Sequence, residues 1–164
     1  MTFCLLPKAQ RPLAFFSQTF LAVDFGHKKV GLSYYTPGHI PLPVMLSPIF
    51  WEKESLEQSW NFLFHSLTKI IEELRVQFFL IGHPRKSDGE LGGTPLLPEF
   101  IERVKEKYPN ISFFYHEEYL TSQEAKQRLF KKRRPFKKQN VRQTLSSVDS
   151  MAAKIFLEEF FDEW

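Results

Sequence analysis

One cysteine, Cys4, stands in the whole chain, so no internal disulfide framework can form, and a reducing compartment fits that usage. No stretch approaches the ~20 apolar residues that a helix needs to span a bilayer. The five histidines, His27, His39, His65, His83 and His116, include no closely spaced pair, and with a single cysteine they leave no zinc-ligand pattern. The opening residues place Lys8 and Arg11 behind their apolar part, the reverse of the order in a secretory signal. A soluble cytoplasmic protein is the expectation. Net charge is also small, +3 over 164 residues, but it is unevenly spread. From Lys126 to Arg142 there are nine Lys or Arg and no acid, whereas Glu158 to Glu163 is acidic, which suggests one side that faces a polyanion.

What is present begins with Phe20-Leu21-Ala22-Val23-Asp24-Phe25-Gly26, an apolar run closed by a carboxylate and a glycine turn. Such a run suits a strand buried on both faces, with Gly26 and Gly31 bracketing a turn into a second strand, Val30 to Tyr35. Asp24 then stands at the exposed end of a central strand, although taken alone it reads equally well as a residue that merely starts the turn. Ile40 to Leu46 reads as a third strand that Pro41 and Pro43 confine to an edge. Residues 1–19 carry no period and are expected to be an N-terminal extension, leaving 20–164 as one domain of ordinary size.

From about Glu52 the period changes to that of an amphipathic helix, with Leu56, Trp60, Leu63, Phe64, Leu67, Ile70, Ile71 and Leu74 on its apolar side. Phe78 to Ile81 is a buried strand ending at Gly82, and strand after helix after strand implies a right-handed crossover to a parallel neighbour. A polar loop, His83 to Pro95, follows with three glycines and the basic pair Arg85 and Lys86. It is long enough to expect a function on the rim that carries Asp24. Pro98 to Tyr108 makes a second helix and Ile111 to Tyr115 another strand, so Glu118 sits between a strand end and the capping box Thr121-Ser122-Gln123-Glu124. A last helix is expected from about Val141 to Phe161, where Ala152 and Ala153 permit close approach to a sheet and let Asp149 face the strand ends.

Asp24, Glu118 and Asp149 thus come from three elements and are expected to converge on one rim. Three carboxylates close together repel, and a hard divalent cation with oxygen ligands, Mg²⁺ or Mn²⁺ as one or two ions, is the obvious compensation. A phosphodiester is the natural substrate of such a site. Lys28, Lys29, Arg85, Lys86, Lys131, Lys132, Arg133, Arg134, Lys137 and Lys138 are the candidates for holding a nucleic-acid backbone.

The succession Asp24-Phe25-Gly26 with Lys29-Val30-Gly31, Ile81-Gly82-His83-Pro84 with Asp88-Gly89, Glu117-Glu118-Tyr119-Leu120-Thr121-Ser122 and Val148-Asp149-Ser150-Met151-Ala152-Ala153 resembles the YqgF family of RNase H-like nucleases. The resemblance covers the chain from about Phe20 onward. It implies an α/β fold, a mixed five-stranded sheet of order 3-2-1-4-5 with strand 2 antiparallel, flanked by helices. It also implies a metal site at Asp24, Glu118 and Asp149. Two activities are attached to the family, maturation of the 5′ end of pre-16S rRNA and Holliday junction resolution.

The chain departs from the family pattern at Tyr119, where an arginine is usual, and at His27 and Lys29, where Thr and Arg are common. Lys29 keeps the charge without bidentate geometry. Against this background the leading expectation is a metal-dependent endonuclease of structured RNA, as a monomer or weak dimer. A branched-DNA resolvase and a non-catalytic RNA-binding module stay open. A phosphotransferase of the actin and sugar-kinase type, whose first phosphate loop Asp24-Phe25-Gly26 also resembles, needs a second domain that one domain's length does not supply.

Overall fold

Phe20, Leu21, Ala22 and Val23 are all wholly buried, as an apolar run at the centre of a sheet covered on both faces must be. In this computed structural model, residues 17–84, 93–118, 127 and 148–162 are described. Their elements are β1 (Thr19–Phe25), β2 (Lys29–Tyr35), β3 (Val44–Phe50), α1 (Leu56–Leu74), β4 (Val76–Pro84), α2 (Leu97–Lys107), β5 (Ser112–Glu118) and a C-terminal helix, α3 (Val148–Asp162). The five strands form one sheet in the order β3-β2-β1-β4-β5. β1 and β2 are antiparallel, as are β2 and β3, while β1, β4 and β5 run parallel. This is the expected mixed sheet, and it puts Asp24 near the carboxyl end of its central strand.

The strand period of two sorts the side chains into two cores. Leu21, Val23 and Phe25 pack toward α1 and α2, where Phe25 stacks on Phe100 with centroids 4.3 Å apart and on Trp60 at 6.0 Å. Phe20 and Ala22 face the other way, toward α3, with Phe78, Leu80 and Phe114 beside them and Ala152, Ile155 and Phe156 above. Residues 20, 22 and 24 share one parity, so Asp24 belongs to the α3 face.

Several boundaries differ from the sequence reading for physical reasons. The third strand is Val44–Phe50, not Ile40 to Leu46: Pro41 and Pro43 precede it, and it carries Pro48 instead. It does lie at the edge. Leu32 pairs with Leu46 but Val30 with Ile49, so Ser47 and Pro48 together face Gly31, and the missing proline N–H falls where the ladder is already broken by a bulge. Helix α1 starts at Leu56 and not near Glu52, because the Ser55 hydroxyl caps it by accepting from the Gln58 N–H. Leu56 lies half exposed at this first turn rather than in the core. Strand β4 runs past Gly82 to Pro84.

Residues 1–16, the loop from 85 to 92, the capping box at Thr121 and residues 128–147, with Leu145 and the basic run, lie outside the described residues. Among the described residues no helix is long and apolar enough to cross a membrane.

Helix α2 is tied to α1 by one phenol. The Tyr108 hydroxyl lies 2.7 Å from Thr68 Oγ1 and donates to the Phe64 carbonyl at 3.3 Å. Burial pushes this phenol above its ordinary value; the hydrogen bond with Thr68 opposes the shift and the Glu72 charge adds to it. A raised value in the folded state gives stability that is complete below the unfolded value of about 10 and is lost as pH rises through the folded one. Tyr108→Phe should therefore cost about 1 kcal/mol at neutral pH. Its deficit against wild type should shrink above about pH 10, in urea unfolding followed across that range. A deficit that grows with pH would contradict the assignment.

Candidate active site

The turn after β1 is built for contact. The Gly26 N–H donates to the Lys29 carbonyl at 3.0 Å, and a Cβ on Gly26 would stand only 2.7 Å from that oxygen, so the turn closes this tightly only with glycine. Trp51 follows β3 directly and braces it. Its indole N–H donates to the Gly26 carbonyl and its backbone N–H to the Lys28 carbonyl, each at 3.1 Å. The hairpin that carries Asp24 and Lys29 is thereby anchored to the third strand.

Gly31 is the point at which β1, β2 and α3 meet. It pairs with Asp24 across the β1–β2 ladder. From the other side Asp149, in the first turn of α3, comes so close that a Cβ on Gly31 would lie 2.1 Å from the Asp149 carbonyl carbon and 2.5 Å from its Cβ. Only a residue without a side chain admits the helix there. Next along, the buried Ser150 hydroxyl accepts from the Leu32 N–H at 3.2 Å, a helix-to-sheet bond beside the bulge. The expected close approach of α3 is present, and Gly31 is the residue that permits it. Two of the three predicted carboxylates, Asp24 and Asp149, are thus brought to the two sides of one glycine.

Lys29 completes this group, its ammonium 3.1 Å from Asp149 Oδ2 with both side chains about a quarter exposed. The structure places Lys29 as the counter-ion of Asp149. Lys28, in contrast, pairs with Glu52 at 3.4 Å where both are more than half exposed, a contact that contributes little. An open cleft of roughly 540 Å³ lies over these residues, walled by Lys28, Lys29, Phe50 and Asp149.

Glu118 closes β5 opposite Pro84. It has the parity of Phe114, which packs toward α3, and of His116, whose Nε2 lies 2.6 Å from Glu159 Oε2 on α3. The Glu118 side chain lies outside the described residues, as do Arg85, Lys86, Lys131, Lys132, Arg133, Arg134, Lys137 and Lys138. Among the described residues no three His, Cys, Asp or Glu side chains form a metal-binding group. Asp24 and Asp149 are hard oxygen donors, and this donor chemistry fits Mg²⁺ or Mn²⁺ and not a thiolate-seeking ion.

Sequence reasoning missed Ser150, Phe50 and Trp51 as parts of this site. A third strand ended at Leu46 leaves the two aromatics in a connection, and nothing in their spacing marks them. Gly31 was legible only as a turn residue.

A family model described as RuvX: Holliday junction resolvase matches residues 18–163. A protein of Amoebophilus asiaticus named "Putative pre-16S rRNA nuclease" is 28% identical over 147 residues, which is 88% of this chain and 94% of that one. Proteins of the same name from Lactobacillus delbrueckii subsp. bulgaricus and Klebsiella pneumoniae are 28% identical over 144 residues (87% and 94% covered) and 26% identical over 151 residues (90% and 98% covered). Among solved structures, Thermus thermophilus RuvC superposes with a TM-score of 0.55 at 8% identity, covering 85% of this chain and 92% of RuvC. RuvC of the same organism in complex with a Holliday junction substrate gives 0.51 at 9%, covering 85% and 91%. At such identity these two show the fold.

The contact at Gly31 makes a direct prediction. Gly31→Ala should destabilise the protein by at least the ~1–3 kcal/mol typical of overpacking, because the obstacle, the Asp149 carbonyl, is helix backbone and cannot rotate away. Thermal unfolding measures this, and an unchanged midpoint would mean that α3 does not seat on β2 as described.

Proposed function

The chain belongs to the RuvX family, and from that membership we propose that it is a divalent-metal-dependent endonuclease that cuts structured RNA in 5′-end maturation of pre-16S rRNA. A nuclease of this family is a hydrolase of phosphodiester bonds. The rRNA assignment draws on the names of the relatives, which align over nearly their whole lengths. The observation that carries the catalytic reading is the meeting of Asp24, Asp149 and Lys29 around Gly31 at the carboxyl edge of the central strand.

Asp24, Asp149 and Glu118 would hold the cation, with Mg²⁺ or Mn²⁺ as its identity. When bound it supplies an activated water and screens the phosphate charge. The chain's own residues do the rest. Lys29 offsets the charge of Asp149 before substrate arrives and stands beside the scissile group afterwards. Gly26 leaves part of the cleft wall without a side chain, and Gly31 admits the backbone of Asp149 so that this carboxylate reaches the cleft. Arg85, Lys86 and the basic residues from Lys131 to Lys138 are the groups to contact the backbone of the nucleic acid. The protein works in the cytoplasm as a monomer or weak dimer. A second reading, cleavage of branched DNA, is favoured by the description of the family itself.

Labelled pre-16S rRNA and a four-way DNA junction, each incubated with the protein in Mn²⁺ and in EDTA, separate these readings. RNA should be cut only with metal, and Asp24→Asn and Asp149→Asn should each lose more than ~100-fold in rate, about 2.7 kcal/mol of barrier, while staying folded. Cutting of the junction alone would move the function to recombination. Full activity of either variant would end the catalytic assignment.

A further inference from the structure

The bulge in β3 has a second effect. Leu46 packs into the core under α1 and α2, and an uninterrupted period of two would put Phe50, four residues on, toward that same core. The extra residue at Ser47–Pro48 reverses the parity. Ile49 takes the α1 and α2 face, buried in register with Val30, and Phe50 pairs with Lys29 on the face of Gly31 and Asp149. Bulges beside active sites commonly re-aim a side chain in this way.

Phe50 does not pack there. It is 55% exposed and forms a wall of the cleft that Lys28, Lys29 and Asp149 also line. Phe62 is the other exposed phenylalanine among the described residues, and the Lys53 ammonium caps its ring 3.8 Å from the centroid. Phe50 is also held firmly, because its neighbours Ile49 and Trp51 are both buried and Trp51 is hydrogen-bonded twice to the hairpin turn. A half-exposed ring on a well-anchored strand end, beside two lysines whose ion pairs with Glu52 and Asp149 are partly open to solvent, has the composition of a platform for single-stranded nucleic acid: bases stack on the ring while the ammonium groups exchange these carboxylates for phosphates.

We propose that Phe50 stacks on an unpaired base next to the phosphodiester held at Asp24 and Asp149, and so makes an unpaired nucleotide beside the cut a requirement for the substrate. The inference rests on the nuclease reading. Within a continuous duplex both faces of each base are already stacked, so none is offered to the ring without the cost of unstacking. Single-stranded ends, bulges and loops offer one freely.

The test uses the full chain in an Asp149→Asn background, so that binding is read without cutting. The probes are a short single-stranded RNA with 2-aminopurine near its centre and a duplex of the same sequence. Stacking quenches the 2-aminopurine fluorescence. Adding Phe50→Ala should weaken single-strand binding about 5- to 150-fold and abolish the quench, with little change for the duplex. Phe50→Tyr and Phe50→Trp should restore both. The side chain is exposed, so thermal unfolding should be unaffected. Equal binding and quenching with and without the ring would overturn the proposal, as would equal losses for single strand and duplex. Cleavage by the Phe50→Ala single variant separates the two readings. If the otherwise wild-type protein cuts RNA and Phe50→Ala matches it, only the stacking role falls. If the wild-type protein neither binds nor cuts, the nuclease reading falls with it.

Discussion

A missing side chain is the constraint on which this structure depends. Helix α3 rests on β2 at Gly31 with no space between them for even a Cβ, and Asp149 is the residue it presses down there. Because Gly31 is also the ladder partner of Asp24, this single contact fixes the spacing of two carboxylates that come from opposite ends of the chain. The hydrogen bond from the Leu32 N–H to the Ser150 hydroxyl adds direction, since sliding the helix along the strand would break it. The bulge opposite Gly31 belongs to the same local solution. A strand pair that must leave room for a helix backbone on one face has little to lose from an interrupted ladder on its outer edge.

The two sides of the sheet are built by different means. Under α1 and α2 the core is a set of large rings, with Trp51, Trp60, Phe64 and Phe100 gathered around Phe25, so the helices stand off by the width of an aromatic. Under α3, close contact is made where small residues allow it, with Ala22 on the sheet and Ala152 and Ala153 on the helix all fully buried. Asp24 and Asp149 both belong to the second side. Short side chains such as Asp can meet across a helix–sheet junction only if the backbones are already near one another. The rings on the first side serve as ballast for the hairpin, through Trp51 and Phe25.

Much of this was legible from residue order. An apolar run ending in Asp24 suits a buried strand with a polar tip, and the helical period around Asp149 put that carboxylate in the early turns of a helix that small residues let approach the sheet. The sheet order came from resemblance to a family and not from periodicity, which cannot rank strands. What stayed hidden has a common cause. Prolines at 41 and 43 and again at 48 mark an edge but do not say on which side of them the strand lies. A one-residue bulge changes the face of everything after it without altering composition, and so Phe50 gave no sign of its position. Gly31 looks the same in sequence whether it turns a chain or receives a helix.

The Leu32–Ser150 bond joins residues 118 positions apart, and the contact between Gly31 and Asp149 spans the same distance. Contacts so distant along the chain close late, after loop entropy has been offset by the sheet and its local helices. During synthesis the hairpin with Asp24 emerges first, while Asp149 is still to be translated. A growing chain therefore carries Asp24 without Asp149, and the meeting of the two at Gly31 is a property of the whole fold that no shorter stretch of the chain possesses.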